Sequence, residues 1–140
     1  LKSLLQEQIM RHSFRLTIPP SVNNIWRRGK KGTYLAPSYR TWIELHRLQV
    51  ESVFGESTAP ISLCRLEIKV NGGTGLRKGR DLDNLAKAIC DLLVRCCVIT
   101  DDNYDVVQGL HLQYLGGYKG DTPAYIDVSV FELKESERKI

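Results

Sequence analysis

The residues of this chain best suited to chemistry are four carboxylates and a lysine. The segment Arg80-Asp81-Leu82-Asp83-Asn84-Leu85-Ala86-Lys87 follows a glycine-rich cationic stretch, Gly72-Gly73-Thr74-Gly75-Leu76-Arg77-Lys78-Gly79. A second acidic pair, Asp101-Asp102, comes just after an apolar-periodic run. Asp81 and Asp83 are two apart, so on an extended backbone both would project to one side with Leu82 turned to the core. Carboxylates held close repel each other and one tends to protonate. A divalent cation removes that conflict. Mg²⁺ takes oxygen ligands, usually one or two carboxylates completed by water and substrate phosphate. Cations at Arg77, Lys78 and Arg80 draw in a polyanion beside such a centre, an arrangement suited to metal-assisted phosphodiester hydrolysis. Asp101 or Asp102 completes the set in one of two ways. The chain after Cys97 runs back along a helix roughly 22 Å long, or a second subunit supplies the other half.

Spacing alone leaves plainer readings open. Asp83, Lys87 and Asp91 stand four apart and match a surface ladder of ion pairs on one helix face. Asp83 also suits the N-cap of that helix, with Asn84 to Lys87 as its first turn. Capping and metal binding do not exclude each other.

The elements that must position these residues are legible from periodicity. Phe14, Leu16 and Ile18 alternate with polar residues as in a strand, which Pro19-Pro20 ends. Residues 19–36 read as a long loop carrying Arg27, Arg28, Lys30 and Lys31 with Trp26 and Tyr34. That mixture suits phosphates and stacked bases, and equally a solvated loop with one aromatic in the core. Residues 37–54 read as a helix with Tyr39, Trp42, Ile43, His46, Val50, Val53 and Phe54 on one face. His46 on that face is a core or interface histidine. Cys64, Leu66, Ile68 and Val70 mark a strand. A helix from about Leu82 to Cys96 carries Leu85, Ile89, Leu92, Leu93 and Cys96 as its apolar stripe. Strands follow at Leu110, Leu112 and Tyr114 and at Ile126, Val128 and Val130, then a charged tail expected to fray. Residues 1–10 suit a short amphipathic helix. The order (α)βαβαββ implies a single α/β (α+β) domain, with helices packed on a mixed or antiparallel sheet.

Composition sets outer bounds. The 140 residues are 42% hydrophobic and 26% charged with a net charge of +4, so the chain is one ordinary globular domain and not a disordered one. Four cysteines show no zinc-ligand spacing and read as reduced, mostly buried thiols of an intracellular protein. No apolar run has the length of a membrane span, and no signal peptide pattern opens the chain.

The series Asp81-Leu82-Asp83-Asn84, Lys87, Asp91 and Asp101-Asp102, with the opening Pro19-Pro20-Ser21-Val22-Asn23-Asn24, resembles the RusA family of Holliday junction resolvases. The resemblance spans residues 13–133, leaving 1–12 as an N-terminal extension and 134–140 as a charged tail. It implies a Mg²⁺-dependent homodimeric endodeoxyribonuclease, with Mn²⁺ as a substitute metal, that resolves Holliday junctions in branched DNA by paired phosphodiester nicks during recombination and repair. It also implies a cytoplasmic, bacterial or phage-encoded protein without a membrane. On this resemblance Asp81, Asp83 and Asp102 are catalytic metal ligands, Lys87 is the basic residue of the site, and Asn84, Asp91 and Asp101 support it. Arg77, Lys78 and Arg80 contact the junction backbone, with Arg27, Arg28, Lys30 and Lys31 as further DNA-binding candidates. Two alternatives remain at this stage: a non-catalytic branched-DNA-binding module of the same fold, and a protein without nucleic-acid function whose acidic ladder is structural.

Overall fold

Apolar and polar residues alternate along Cys64–Asn71, and the burial follows: Cys64, Leu66, Ile68 and Val70 are covered while their neighbours are only partly so. This strand is interior to a four-stranded sheet. The computed structural model describes residues 10–21, 26–30, 32–54, 59–117 and 120–140. In chain order its elements are β1 (Arg11–Leu16), β2 (Trp26–Gly29), β3 (Gly32–Leu35), α1 (Pro37–Phe54), β4 (Cys64–Asn71), α2 (Leu82–Arg95), β5 (Val107–Gly116) and β6 (Tyr125–Glu132).

The sheet order is β1-β6-β4-β5. β6 pairs antiparallel with both β1 and β4, whereas β4 and β5 are parallel. A parallel pair cannot be joined by a tight turn and needs a long crossover, here α2. The sheet is therefore mixed, and the expected βαβαββ order of a single α+β domain is present. The expected first helix falls almost wholly outside the described residues. Residues 19–36 are not simply a loop: β2 and β3 form a hairpin, Trp26 opposite Leu35 and Gly29 opposite Gly32. Each of its strands has four residues and neither alternates, so period-two reasoning had nothing to detect.

Phe14 and Ile68 both lie opposite Val128, and Leu16 and Val70 both lie opposite Ile126, which aligns the apolar residues of three strands on one face. α1 covers that face with Tyr39, Trp42, Ile43, His46 and Val50, and α2 with Leu85, Ala88, Ile89, Leu92 and Leu93. Each large apolar side chain so buried contributes about 1.5–3 kcal/mol relative to exposure. Val53, expected on the buried face of α1, is exposed near the helix end. The opposite sheet face carries polar residues, with the Arg15 and Arg65 guanidinium groups each 3.8 Å from the ring centres of Tyr125 and Phe131.

The edge strand departs from simple alternation. Leu110, Leu112 and Tyr114 lie opposite Leu66, Ile68 and Val70 and so share the helix-covered side. Yet Leu110 is 51% and Tyr114 48% exposed, because the helical layer stops short of the sheet edge. The tail, expected to fray, is tied to the start of β5: Gln108 Nε2 donates to the Lys139 carbonyl (2.9 Å) and Lys139 N–H donates to Gln108 Oε1 (2.7 Å). All four cysteines are free, with Cys97 exposed and the others buried. Burial pushes the Cys64 thiol up to about 11 and the Cys90 thiol up to about 12. Among the described residues no helix is long and apolar enough to cross a membrane.

α1 is latched to the exit of β1 by three side chains. Trp42 Nε1 donates to the Thr17 carbonyl (3.2 Å) and Gln49 Nε2 to the Arg15 carbonyl (2.6 Å). Thr17 N–H donates to His46 Nε2 (3.2 Å), while His46 Nδ1 lies 3.2 Å from Gln49 Oε1. A backbone N–H can only donate, so Nε2 is bare, the proton is on Nδ1 and the buried ring is neutral. Burial lowers the His46 pKa, with the Gln49 hydrogen bond acting the other way. The unfolded chain therefore takes up the proton more readily than the folded one. This contribution to stability is complete above the ordinary histidine value of about 6.5 and is lost as pH falls below it. Thermal unfolding across that interval is expected to show a steeper loss for the wild type than for His46→Gln; identical slopes would remove His46 as the titrating group.

α2 ends in a Schellman arrangement: Cys97 N–H donates to the Val94 carbonyl (3.0 Å) and Val98 N–H to the Leu93 carbonyl (2.9 Å). The motif needs a left-handed residue, and Cys97 supplies it with φ +58° where glycine is the usual choice. Cys97→Gly is expected to stabilise the fold by about 1 kcal/mol, read as a higher urea midpoint at unchanged slope. A lower midpoint would mean that the Cys97 side chain contributes more than its backbone costs.

Candidate active site

The loop from β4 to α2 leaves the carboxyl end of a strand interior to the sheet, the position where α/β sheets commonly bind ligands. Its first part is pinned. Gly72 N–H donates to the Gly116 carbonyl (2.7 Å), Thr74 N–H to the Thr122 carbonyl (2.9 Å), and Ala124 N–H to the Thr74 carbonyl (2.9 Å). Gly73 is required by this approach, since a Cβ there would stand 2.2 Å from the Thr122 carbonyl oxygen. Its last part turns through Gly79, whose φ is +80°, and presents Arg80 and Asp81.

Asp81, and not Asp83, occupies the N-cap of α2. Its backbone is extended (φ −69°, ψ 133°), its carbonyl accepts from Leu85 N–H (3.3 Å), and its carboxylate makes no capping hydrogen bond. Leu82 and Asp83 are already helical, so the two carboxylates are not related by strand alternation as the spacing suggested. Both aspartates are exposed while Leu82 packs against the core. Asp83 in the first turn is favoured by the positive end of the helix dipole.

Further along the helix the expected ladder does not form. Asp91 pairs with Arg95 (2.8 Å) and accepts from the Tyr39 hydroxyl (2.8 Å), which joins α2 to α1. Burial first, and the hydrogen bond to Asp91 second, push the Tyr39 hydroxyl far above the usual tyrosine range. Lys87, exposed between Asp83 and Asp91, makes no ion pair with a described residue.

After α2 the chain does turn back. Asp102 lies close enough to Cys90 and Asp91 for their charges to interact. Asp83 is eight residues before Asp91, about 12 Å along the helix. Asp102 therefore stands nearer the Asp91 end of the helix than the Asp83 end. Asp101 uses both oxygens on its own turn, accepting from Asp102 N–H (2.7 Å) and Asn103 Nδ2 (3.1 Å). Loss of solvation, then the hydrogen bond and charge of Asp101, and last the charge of Asp91 raise the Asp102 pKa above the ordinary aspartate value.

Among the described residues no three His, Cys, Asp or Glu side chains stand together as a cation site. Mg²⁺ asks for less: one or two carboxylates, with water and phosphate oxygens for the rest. The donors fit that demand, because Asp81 and Asp83 offer hard oxygens uncommitted to capping or to the ladder.

A cleft of about 710 Å³ opens between the loop (Leu76, Arg77, Lys78, Arg80), Leu82 and the edge strand at Tyr114. Tyr114 carried no sequence signal, since an alternating strand gives no hint that its edge is uncovered. Of the other cationic candidates, Lys30 is exposed in the β2–β3 turn, the Arg27 and Arg28 side chains lie outside the described set, and so does Lys31.

A family model described as endodeoxyribonuclease RusA matches residues 17–127. The chain belongs to the RusA endodeoxyribonuclease family. A crossover junction endodeoxyribonuclease rusA of Enterobacteria phage HK97 is 30% identical to it over 92 residues, covering 65% of this chain and 73% of that protein. In this RusA chain the cationic loop, α2, the Asp101-Asp102 turn and Tyr114 all lie inside the matched span.

Tyr39→Phe removes the one side-chain bond from α1 to Asp91 without opening a cavity. It is expected to cost about 1.5–3 kcal/mol, the range for a hydrogen bond to a charged group. Urea unfolding measures this, and an unchanged midpoint would show that the bond does not hold the two helices.

Proposed function

We propose that this RusA endodeoxyribonuclease resolves four-way DNA junctions with Asp81, Asp83, Asp102 and Lys87 as its catalytic group, Mg²⁺ as its metal and a homodimer as its working form. The observation that carries the reading is the start of α2. Two exposed carboxylates there remain free of capping, directly after Arg77, Lys78 and Arg80. Asp81 and Asp83 would hold the cation from the helix start; Asp102 stands beside Asp91, about 12 Å along the helix from Asp83, so it would reach that cation from the partner protomer. Mn²⁺ has the same oxygen preference and substitutes for Mg²⁺. When bound, the cation supplies an activated water and stabilisation of the charge that develops on the phosphate.

The chain's own residues do the remainder. Arg77, Lys78 and Arg80 attract and seat the backbone, with Lys30 and its neighbours in the β2–β3 hairpin as a second contact. The Lys87 ammonium, with no described counter-ion to give up, donates to a phosphate oxygen as charge accumulates. Asp91 serves as a positioning residue, because its bonds to Tyr39 and Arg95 fix the helix that carries Asp83 and Lys87. Asn84, 3.5 Å from an Arg80 nitrogen, steadies that guanidinium. A four-way junction offers two nearly equivalent strands, and a two-fold dimer matches them with one site each.

The wild type is expected to nick a synthetic four-way junction in Mg²⁺ and to stop when the metal is chelated. Asp83→Asn is expected to bind the junction about as tightly and to cut at least about a hundredfold more slowly. Binding without cutting by the wild type in both Mg²⁺ and Mn²⁺ would leave a non-catalytic junction-binding module. Equal cutting of linear duplex would make it a general nuclease.

A further inference from the structure

We infer that the cleft between the 72–80 loop and the edge strand receives an unstacked nucleobase from the branch point of the DNA, and that Tyr114 is the residue that reads it. This rests on the junction-cutting function proposed above and assigns that site a part of its substrate.

Four observations converge on the cleft. Its chemistry is divided, with Leu76, Leu82 and the Tyr114 ring supplying apolar surface and Arg77, Lys78 and Arg80 supplying charge. A nucleotide is divided in the same way, into a flat base and an anionic phosphate. Tyr114 lies opposite Val70 and shares its side of the sheet, where Val70 is fully buried and Tyr114 is 48% exposed. A half-exposed aromatic ring at a strand edge offers a stacking surface to any base.

The ladder between β4 and β5 shifts register at Val70/Asn71, immediately beside Tyr114, and irregularities of this kind re-aim side chains next to sites. Arg80 Nε–H is buried, lines this cleft with the rest of its side chain, and has no acceptor among the described residues. A phosphate oxygen that draws the Arg80 guanidinium further into the cleft would give that donor a partner.

The position also suits the substrate. The cleft is lined by Arg80 and Leu82, the residues on either side of Asp81, so a base held there brings its own phosphate near the acidic helix start. Bases at a branch point stack on fewer neighbours than those in an arm and leave the stack more cheaply. A continuous duplex offers no such base, so a cleft of this kind adds discrimination between branched and linear DNA to the charge-based attraction that both share.

The test uses the full chain carrying Asp83→Asn, with a four-way junction bearing 2-aminopurine either at the branch point or within an arm. Binding is expected to change the emission of the branch-point reporter severalfold and to leave the arm reporter alone. Adding Tyr114→Ala is expected to abolish that change and to weaken junction binding about tenfold, the size of one base–aromatic stack, with duplex binding unaltered. Tyr114→Phe keeps the ring and is expected to behave as the parent.

An unresponsive branch-point reporter, or a Tyr114→Ala protein whose junction and duplex affinities fall together, overturns the inference. Cutting by the wild type, run alongside, separates the two ideas. A junction still cut with an unresponsive reporter removes the base pocket and keeps the nuclease. No preference for the junction at all removes both.

Discussion

The parallel pairing of β4 with β5 is the constraint on which the rest of this molecule depends. Strands that run the same way must be joined across the full length of the sheet, and α2 is the connection. Its amphipathic stripe pays for the crossing by burying Leu85, Ile89, Leu92 and Leu93 against the sheet. Two consequences follow from the direction of travel. The start of α2 lies at the carboxyl end of β4, where the backbone has just left the sheet and its side chains are free. The carboxyl end of β5 lies at the same edge, so Tyr114 and the Gly72–Arg80 loop meet there although far apart in the chain.

The layers are held by a few specific bonds added to the apolar contact. Trp42, His46 and Gln49 grip the backbone at the end of β1. Tyr39 reaches from α1 to Asp91 on α2. Each bond satisfies a polar group that burial would otherwise leave costly. Together they fix α1 against the sheet and α2 against α1, so the face carrying Asp83 and Lys87 is presented by a rigid element. A site on such an element keeps its geometry better than one carried by loops.

Charge is distributed to match. Cations cluster in the loop before α2, and carboxylates occupy the first turn of the helix and the turn after it. Asp91 looks like a member of the acidic set but is engaged with Tyr39 and Arg95. Asp101 is likewise occupied in its own turn. That separation, between carboxylates spent on structure and carboxylates left over, supports the part proposed for Asp81 and Asp83.

Local chemistry by itself determined most of the elements and the position of the acidic helix. Alternation and the helical period depend only on which face of one segment is buried, and those patterns are complete in residues 64–70 and 82–96. The ordered series of Asp81, Asp83, Lys87 and Asp102 was sufficient to suggest the RusA family. Tertiary structure alone decided the parallel partnership of β4 and β5, the hairpin inside residues 19–36, the docking of the tail and the exposure of Tyr114. It also moved the helix cap from Asp83 to Asp81 and replaced the Asp83–Lys87–Asp91 ladder with the bonds of Asp91 to Tyr39 and Arg95. The physical reason is common to all of these. A residue's period reports which way it faces, whereas its partner is set by whatever distant segment covers that face, and no short window of sequence contains both.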